Sequence, residues 1–303
     1  MKKVLVSGGH GFVGQKLVPF LREKGFDVFA PTTSILDITD LDSCKKVVEE
    51  FAPDHIYHLA GVSYVPEAEK DFSKAIDINV AGTDNLCRAC IGLKQKPIFL
   101  FVSSADVYGP VEEMPITEKT PLNTTSNYGF TKRFAEILVS KWHKNGVINA
   151  RIARPFNHLG TGQDSRFVVS SFATQISELK QQCGGTIKVG NLEAAKDFSD
   201  VHDIINGYYL FVSADDKTLF SAVSLEYSCP LLVFCSGKPV TIAKILDDMI
   251  ASSGVPVKIE IDKERWRPNE VISYYGNAQL SKECLQWSTT ITLDKTLSSI
   301  FQR

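Results

Sequence analysis

A tyrosine and a lysine four residues apart, Tyr128 and Lys132, are the side chains of this sequence best suited to proton transfer. Of the nine tyrosines, only Tyr128 is followed by a lysine at that spacing. On a helix the two side chains share one face, where an ammonium would stabilise the phenolate and lower the pKa of the phenol. Ser104 follows an apolar segment, and its hydroxyl would hydrogen-bond the reacting oxygen. These residues predict acid–base chemistry at a substrate oxygen.

A glycine-rich turn near the N-terminus predicts nucleotide binding. Gly8, Gly11 and Gly14 fit the pattern GxxGxxG, and Gly9 gives the alternative register GxGxxG. The turn follows an apolar strand and opens a helix, so its backbone N–H groups would approach a pyrophosphate at the helix N-terminus. The candidate cofactor contacts in the turn are Gly8, Gly11, Phe12, Val13 and Gly14.

The end of the second strand would distinguish NAD from NADP. A carboxylate at that position hydrogen-bonds the adenosine ribose of NAD, whereas an arginine accommodates the 2′-phosphate of NADP. Residues 30–34 read Ala-Pro-Thr-Thr-Ser and contain neither, so the sequence predicts a nicotinamide dinucleotide without choosing between NAD and NADP. Asp37 and Ile38 are predicted to contact the adenine, with helix capping as the alternative role of Asp37.

The elements that would position these residues alternate between strands and helices. Apolar runs predict strands at 3–7, 27–30, 55–59, 98–103 and 149–153, and amphipathic patterns predict helices at 12–24, 41–51, 71–93 and 128–144. This order predicts an α/β fold with a Rossmann-like, doubly wound parallel sheet. Residues 1–160 would form the dinucleotide-binding domain. Residues 161–303 would form a smaller α/β substrate-binding part, interleaved with the first.

The composition excludes several classes of protein. The 303 residues carry a formal charge of -2, which lacks the basic surplus that a general nucleic-acid binder needs. No apolar run reaches the roughly 20 residues that span a bilayer, and the apolar start of the chain breaks at Ser7 before a signal peptide forms. Cys87 and Cys90 have no second pair of metal ligands following them. We therefore expect a cytoplasmic enzyme without a bound metal.

Several motifs of the first half occur in the same order in a known family. They are the glycine turn, Leu59-Ala60-Gly61 after the third strand, Asn79 in the next helix, Ser-Ala-Asp-Val-Tyr-Gly at 104–109, and Tyr128 with Lys132. With them the chain resembles the extended short-chain dehydrogenases/reductases, also called the NAD-dependent epimerase/dehydratase family. The resemblance implies a catalytic triad of Ser104, Tyr128 and Lys132, with Lys132 also holding the nicotinamide ribose. It further implies that Leu59, Ala60 and Gly61 contact the cofactor, that Asn79 braces the active-site helix, and that the protein is a homodimer.

The second half is similar to segments shared by GDP-mannose 4,6-dehydratases and GDP-4-keto-6-deoxymannose reductases. The matching stretches are 154–163, 189–201, 267–271, 276–277 and 285–287. The resemblance implies that the following residues contact the nucleotide part of the substrate: Asn157, Lys188, Asn191, Lys196 and Arg267. Lys196 stands where the family usually has arginine, so a bidentate phosphate contact becomes a point charge. Gln286 replaces the glycine expected before Trp287.

Asp106 bears on which reaction of this family the chain performs. Sugar-nucleotide dehydratases place a glutamate at the equivalent position, where it abstracts a proton from C5 of the sugar. The side chain of Asp106 is one methylene shorter, and proton transfer requires hydrogen-bond reach. The resemblance therefore favours an NAD(P)H-dependent reductase of a nucleoside-diphosphate 4-keto-6-deoxyhexose, with the GDP sugar preferred, in which Asp106 orients substrate or is vestigial. A 4,6-dehydratase or an epimerase is the alternative, and a non-catalytic nucleotide-binding protein is a minor one.

Overall fold

The structure is a computed structural model that describes residues 1–265 and 273–301. Its strands are β1 Lys3–Ser7, β2 Asp27–Phe29, β3 His55–His58, β4 Ile98–Val102, β5 Asn149–Pro155, β6 Asn157–Leu159, β7 Gly185–Val189, β8 Ala195–Asp200, β9 Leu231–Phe234, β10 Pro239–Thr241, β11 Val257–Ile261 and β12 Ser273–Tyr274. Its α-helices are α1 Gly14–Glu23, α2 Leu41–Phe51, α3 Val65–Lys70, α4 Phe72–Ile76, α5 Gly82–Ala89, α6 Asn127–Lys144, α7 Val168–Gln181, α8 Val201–Ser213, α9 Ile242–Ser253, α10 Gln279–Leu285 and α11 Leu293–Phe301. None of the helices in these described ranges is long and apolar enough to cross a membrane.

Six of the strands form one parallel sheet. The order across it is β2-β1-β3-β4-β5-β9, and every neighbouring pair is parallel. Strands that are buried on both faces carry apolar side chains at successive positions rather than at alternate ones. In β1, Val4 and Val6 face one hydrophobic core and Leu5 faces the other. The predicted Rossmann-like, doubly wound α/β sheet is therefore confirmed.

The helices on the two faces of the sheet bury separate apolar cores. On one face, α1 and α8 contribute side chains such as Leu17 and Ile204. On the other face, α2, α5 and α6 contribute side chains such as Val48, Leu86 and Val139. The helix that carries the predicted tyrosine–lysine pair is thus fixed directly against the sheet.

The long helix predicted over 71–93 is interrupted. α4 and α5 flank a π-helical turn at Asp77–Ala81. Within this turn the side chain of Asn79 forms hydrogen bonds outside the helix, with the N–H and the C=O of Val62. Single π-helical turns of this kind occur frequently at functional sites. The hydrophobic periodicity of the segment did not reveal the interruption, because the backbone stays helical at both of its ends, at Ile76 and Gly82.

The remaining strands belong to a smaller part of the molecule. β8 pairs with β10, β12 and β6, and β7 pairs with β11. α7 and α9 cover a core that includes Phe172, Ile187 and Ile245. Two elements beyond residue 160 return to the first sheet, since α8 packs on its face and β9 is its last strand. The division of the chain at residue 160 stays a prediction.

Candidate active site

Three of the predicted site segments lie at one edge of the six-stranded sheet. Gly8 follows β1, residues 59–61 follow β3, and residues 103–104 follow β4. Because the strands are parallel, all three segments lie at their carboxyl ends. β1 lies between β2 and β3, so the direction in which the chain progresses across the sheet reverses there. Ligands of open α/β sheets bind at such a reversal.

The glycine turn is packed too tightly for larger residues. Gly8 has a φ of +73°, and a Cβ on it would lie 2.6 Å from the backbone nitrogen of Ala60. A Cβ on Gly14 would lie 2.5 Å from the carbonyl oxygen of Gly8. α1 begins at Gly14 rather than at Phe12, where we predicted it, because the residues before Gly14 form this turn. The close packing places the start of α1 directly beside the end of β3.

The N-terminus of α1 is suited to bind a phosphate group. It has no side-chain cap, and its first turn contains no acidic residue. The N–H groups of a first helical turn have no partner within the helix, and the helix dipole favours an anion at this end. Phe12 in the turn stacks on His158 with ring centroids 6.1 Å apart. The turn therefore fits the pyrophosphate of a dinucleotide cofactor.

The segment after β2 presents hydroxyl groups. It has neither the carboxylate that binds the adenosine ribose of NAD nor the arginine that binds the 2′-phosphate of NADP. Thr32 and Ser34 are exposed, and their hydroxyl oxygens lie 2.8 Å apart. His10 Nε2 lies 3.1 Å from the carbonyl oxygen of Ala30. This arrangement suits a ribose or a 2′-phosphate equally, as the sequence indicates.

Asp37 and Ile38, the predicted adenine contacts, follow β2 in a short loop. Asp37 Oδ1 accepts hydrogen bonds from the N–H and the hydroxyl of Thr39, at 2.9 and 2.7 Å. Ile38 is buried against Gly82, and a Cβ on Gly82 would lie 2.7 Å from the side chain of Ile38. The carboxylate of Asp37 thus closes a local turn, and the adenine contact stays a prediction for both residues.

Tyr128 and Lys132 share one face of α6, as their spacing predicts. The hydroxyl of Ser126 caps the helix by accepting a hydrogen bond from Gly129 N–H at 2.9 Å. Both predicted catalytic side chains are buried, with 6% and 7% of their surface exposed. Lys132 Nζ donates to the carbonyl oxygen of Val102 at 2.9 Å. The ammonium is therefore anchored at the carboxyl end of β4.

The pKa of Tyr128 is raised overall, not lowered as we expected from the neighbouring Lys132. Burial, and next the negative charge of Asp106, raise the pKa of Tyr128 well above its ordinary value, while hydrogen bonding with Ser104 acts in the opposite direction. Burial also lowers the pKa of Lys132 to about 8. Loss of hydration disfavours every charged form, and in this site it outweighs a single neighbouring charge. Tyr128 is therefore protonated at neutral pH, which is the state of an acid.

Ser104 and Asp106 are directly hydrogen-bonded to each other. Ser104 Oγ donates to Asp106 Oδ2 at 2.9 Å and accepts from Asp106 N–H at 3.1 Å. A serine hydroxyl has only one hydrogen to donate, so Asp106 holds the orientation of the Ser104 hydroxyl. Asp106 itself is exposed. Ser104 and Asp106 thus lie in one short turn, residues 104–108, which we call the catalytic turn.

Asn79 connects the loop after β3 to α6, in agreement with its predicted bracing position. Asn79 Oδ1 accepts from Val62 N–H at 2.7 Å, and Nδ2 donates to Val62 O at 3.0 Å and to Thr131 Oγ1 at 2.9 Å. Thr131 in turn donates to the carbonyl oxygen of Tyr128 at 2.8 Å. Sequence reasoning missed Thr131, although its position one residue before Lys132 places it on α6 beside the pair.

The predicted substrate contacts are distributed over the smaller part. Asn157 lies on β6 and donates to the carbonyl oxygen of Asp197 at 3.2 Å. Lys196 lies on β8, the strand beside β6, while Lys188 is exposed on β7 and Asn191 follows β7. Arg267 lies outside the described residues. The structure therefore groups Asn157 with Lys196 on one sheet and places Lys188 on another.

Tyr274 links this smaller sheet to the catalytic turn, and sequence reasoning missed it. Its hydroxyl donates to the carbonyl oxygen of Ala105 at 2.6 Å, between Ser104 and Asp106. The Nζ of Lys196 lies 5.8 Å from the centroid of the Tyr274 ring. Its position two residues before the matching Gly276-Asn277 pair was the available signal. Tyr274 therefore lies between Lys196, a predicted substrate contact, and the turn that carries Ser104 and Asp106.

Comparisons with known proteins agree with this geometry. The family model described as GDP-mannose 4,6 dehydratase matches residues 30–300. The chain is 31% identical to GDP-6-deoxy-D-mannose reductase of Pseudomonas aeruginosa, over 99% of this chain and 96% of that protein. It is 32% identical to GDP-6-deoxy-D-talose 4-dehydrogenase of Aggregatibacter actinomycetemcomitans, over 75% of this chain and 76% of that protein.

A solved structure extends the likeness to the whole fold. RMD from Pseudomonas aeruginosa, complexed with NADPH, superposes with a TM-score of 0.88 at 30% identity, covering 99% of this chain and 98% of that one. The parallel sheet, the glycine turn and the Tyr128–Lys132 pair are the features that the resemblance to the extended short-chain dehydrogenases/reductases implied. The chain therefore belongs to the GDP-mannose 4,6-dehydratase family.

Proposed function

We propose that this protein is an NAD(P)H-dependent reductase of a nucleoside-diphosphate 4-keto-6-deoxyhexose, with the GDP sugar as substrate, acting in deoxysugar biosynthesis. The observation that carries the proposal is the burial of Tyr128 and Lys132 at the sheet edge that also carries the glycine turn. The likeness over nearly the whole chain to a GDP-6-deoxy-D-mannose reductase supports the choice of reaction.

Gly8, Gly11, Phe12, Val13 and Gly14 would hold the pyrophosphate of NADPH or NADH, and Lys132 would hold the ribose beside the nicotinamide. When bound, the reduced cofactor supplies a hydride to the carbonyl carbon of the sugar. The tight packing of Gly8 and Gly14 supports this assignment, because it leaves the backbone of the turn free of side chains.

Tyr128 would donate its phenolic proton to the oxygen at C4 as that oxygen becomes an alkoxide. Burial keeps the phenol protonated at neutral pH, and an alkoxide is a stronger base than a phenolate. A raised pKa makes Tyr128 a weaker acid, so the transfer depends on stabilisation of the phenolate that it leaves. Lys132, held at the end of β4, would stabilise the phenolate that remains.

Ser104 and Asp106 favour a reductase over a dehydratase. Ser104 would turn its single hydroxyl hydrogen from the carboxylate of Asp106 to the substrate oxygen, while Asp106 N–H would hold the Ser104 oxygen in place through the 3.1 Å hydrogen bond. A base that abstracts a carbon-bound proton must reach the substrate, whereas the carboxylate of Asp106 is engaged with Ser104 next to it. We therefore assign Asp106 an orienting role in place of the role of the dehydratase glutamate.

The nucleotide part of the substrate would lie against the smaller sheet. Asn157 and Lys196 would contact the diphosphate from neighbouring strands, and Lys188, Asn191 and Arg267 would complete the contacts with the phosphates or the base. The position of Tyr274 between Lys196 and the catalytic turn supports this placement, because a sugar joined to a diphosphate must span that distance.

We further propose a homodimer that uses the outer face of α6. Phe134 and Ile137 are 46% and 48% exposed on this helix, and Phe130 stacks on Phe134. Apolar side chains that cluster on an exposed helix face mark a protein interface. Light scattering should give twice the mass of the chain for the wild-type protein and a smaller mass for the Ile137→Asp variant.

We also propose that the protein functions in the cytoplasm. Six of its cysteines are buried, and burial raises the pKa of thiols such as Cys44 and Cys90 to about 12. Buried, protonated thiols are unreactive, and free thiols are typical of reducing compartments.

Product analysis distinguishes the reductase from its alternatives. Incubation with the GDP-4-keto-6-deoxy sugar and NADPH or NADH should give a GDP-6-deoxyhexose and one equivalent of oxidised cofactor. Incubation with GDP-mannose and no added reductant should give no keto sugar. Formation of the keto sugar in the second incubation, without reduction in the first, would establish a dehydratase instead.

A further inference from the structure

His58 is a buried titratable residue that the proposed mechanism does not use. It is the last residue of β3 and 1% exposed. Its ring centroid lies 5.8 and 5.9 Å from those of Phe99 and Phe101. Both ring nitrogens are within hydrogen-bond distance of a hydroxyl, Nδ1 at 2.7 Å from Ser7 Oγ and Nε2 at 2.9 Å from Thr83 Oγ1. Both polar atoms of this buried ring are therefore paired, as buried polar groups generally are.

The ring of His58 is neutral. Burial, and next the positive charge of Lys132, lower its pKa to about 3. A neutral imidazole carries one N–H and one bare nitrogen. One of the two hydroxyl contacts must therefore donate to the ring and the other must accept from it.

Thr83 determines which nitrogen carries the hydrogen. Thr83 Oγ1 lies 2.6 Å from the carbonyl oxygen of Asn79, which can only accept. Its single hydrogen is committed to that carbonyl, so Thr83 accepts a hydrogen bond from Nε2–H of His58. The bare Nδ1 then accepts from the hydroxyl of Ser7. The hydrogen bonds run in one direction, from Ser7 through His58 and Thr83 to Asn79.

The two ends of this chain of hydrogen bonds lie at the two halves of the candidate active site. Ser7 ends β1 and immediately precedes Gly8, the first glycine of the cofactor turn. Asn79 lies in the π-helical turn, and Thr131 connects its amide to the carbonyl oxygen of Tyr128. These contacts lead without a gap from the cofactor turn to the helix that carries Tyr128.

We propose that His58, as its Nε2–H tautomer, is a positioning residue for both the cofactor turn and the helix that carries Tyr128. It holds Ser7 at one end and the backbone of Asn79, through Thr83, at the other. The part of the proposal that concerns Tyr128 rests on the proposed function. The direction of the hydrogen bonds follows from the structure alone and does not depend on that function. β3, which carries His58, lies in the sheet between β1 and β4. β1 leads into the cofactor turn, and the end of β4 anchors Lys132 of the helix that carries Tyr128.

The tautomer is measured directly by nitrogen-15 NMR of histidine-labelled protein, with the spectrum of His58→Gln identifying the resonances. We expect the shift of a bare nitrogen at Nδ1 and that of a protonated nitrogen at Nε2. The opposite pattern, or an imidazolium, would overturn the proposal. This readout needs neither substrate nor cofactor.

The positioning of each half is tested by breaking the chain of hydrogen bonds at each end. Ser7→Ala should weaken NADPH binding about tenfold and leave kcat within twofold, because it releases only the cofactor turn. Thr83→Val should lower kcat about tenfold, leave NADPH affinity within twofold, and shift the carbon-13 resonance of the Tyr128 phenol carbon. His55→Asn, a buried histidine on the same strand, is the matched control and should change none of these.

A merely structural role predicts another pattern. Each variant would then lower the melting temperature without separating affinity from kcat, and that result would overturn the proposal. If the wild-type protein does not reduce the keto sugar, the proposed function fails. The tautomer, the NADPH affinities and the Tyr128 resonance still decide whether His58 positions the two halves.

Discussion

Lys132 carries a buried positive charge, and its replacement by methionine measures how strongly that charge destabilises the fold. The side chain is 7% exposed, donates to the carbonyl oxygen of Val102, and lies 5.2 Å from the ring centroid of Phe101. Burial lowers its pKa from 10.5 to about 8. At about 1.4 kcal/mol per pKa unit, this difference corresponds to ~3 kcal/mol of free energy of unfolding.

The sign of the pH dependence follows from the lowered pKa. Below pH 8 the lysine is charged in both the folded and the unfolded state, and the folded state carries the full penalty of burying the charge. Between pH 8 and 10.5 the unfolded state binds more protons, so the stability of the wild-type protein rises with pH. Methionine fills a similar volume without a charge. Lys132→Met should therefore be more stable by up to ~3 kcal/mol at pH 7, and the difference should shrink toward pH 10.5.

The assay is urea unfolding of the cofactor-free protein at several pH values between 7 and 10, followed by circular dichroism. Lys141→Met on the same helix is the control, because Lys141 is exposed and its replacement should change the free energy of unfolding by less than about 0.5 kcal/mol. A Lys132→Met variant that is less stable than the wild type at pH 7, or equally more stable at every pH, would refute this reasoning. Loss of reductase activity in the same variant would indicate that the buried charge is kept for function at the expense of stability.

Two further predictions concern the glycine turn and the buried ion pair. Gly14→Ala would place a Cβ 2.5 Å from backbone atoms of Gly8 and Gly9, so fluorescence titration should give at least about tenfold weaker NADPH binding. Gly25→Asn is the control, because nothing lies within 4 Å of a Cβ on Gly25 and asparagine tolerates its left-handed φ of +86°. An unchanged affinity for Gly14→Ala contradicts the role of the turn. Glu136→Gln would leave Arg154, which donates to both Glu136 oxygens at 2.8 and 2.7 Å, buried beside a neutral partner. Urea unfolding should then show a loss of about 3–5 kcal/mol, and a loss below about 1 kcal/mol would contradict the importance of the pair.

The sequence predicts the sheet and the position of its ligand edge well, because both follow from local patterns. The apolar runs of the first five strands, and the glycines after the first, are short-range signals of buried parallel strands and of a tight turn. The return of Leu231–Phe234 as the last strand of the same sheet depends on pairing with β5. Such long-range pairing leaves no local pattern, so only the general expectation of an interleaved second part was possible.

The residues of the candidate site were predictable, but their electrostatics were not. Helical spacing placed Tyr128 and Lys132 together, whereas the raised pKa of Tyr128 follows from burial by elements distant in sequence. The same reason explains why sequence patterns did not reveal the roles of Tyr274 and Thr83, whose contacts are with residues distant in sequence. Sequence spacing indicates which groups meet, and only the packed structure determines how much water they lose.

The central claim is that Tyr128 protonates the oxygen of a reduced carbonyl, and one comparison tests it most directly. The wild-type protein and Tyr128→Phe are mixed with NADPH and the GDP-4-keto-6-deoxy sugar, and the loss of absorbance at about 340 nm, where reduced nicotinamide absorbs, is followed. We predict steady oxidation by the wild type and a rate about 10²–10⁴-fold lower for Tyr128→Phe, with equal NADPH affinity. An equal rate for the two proteins, or no oxidation by the wild type with either NADPH or NADH, would contradict the account.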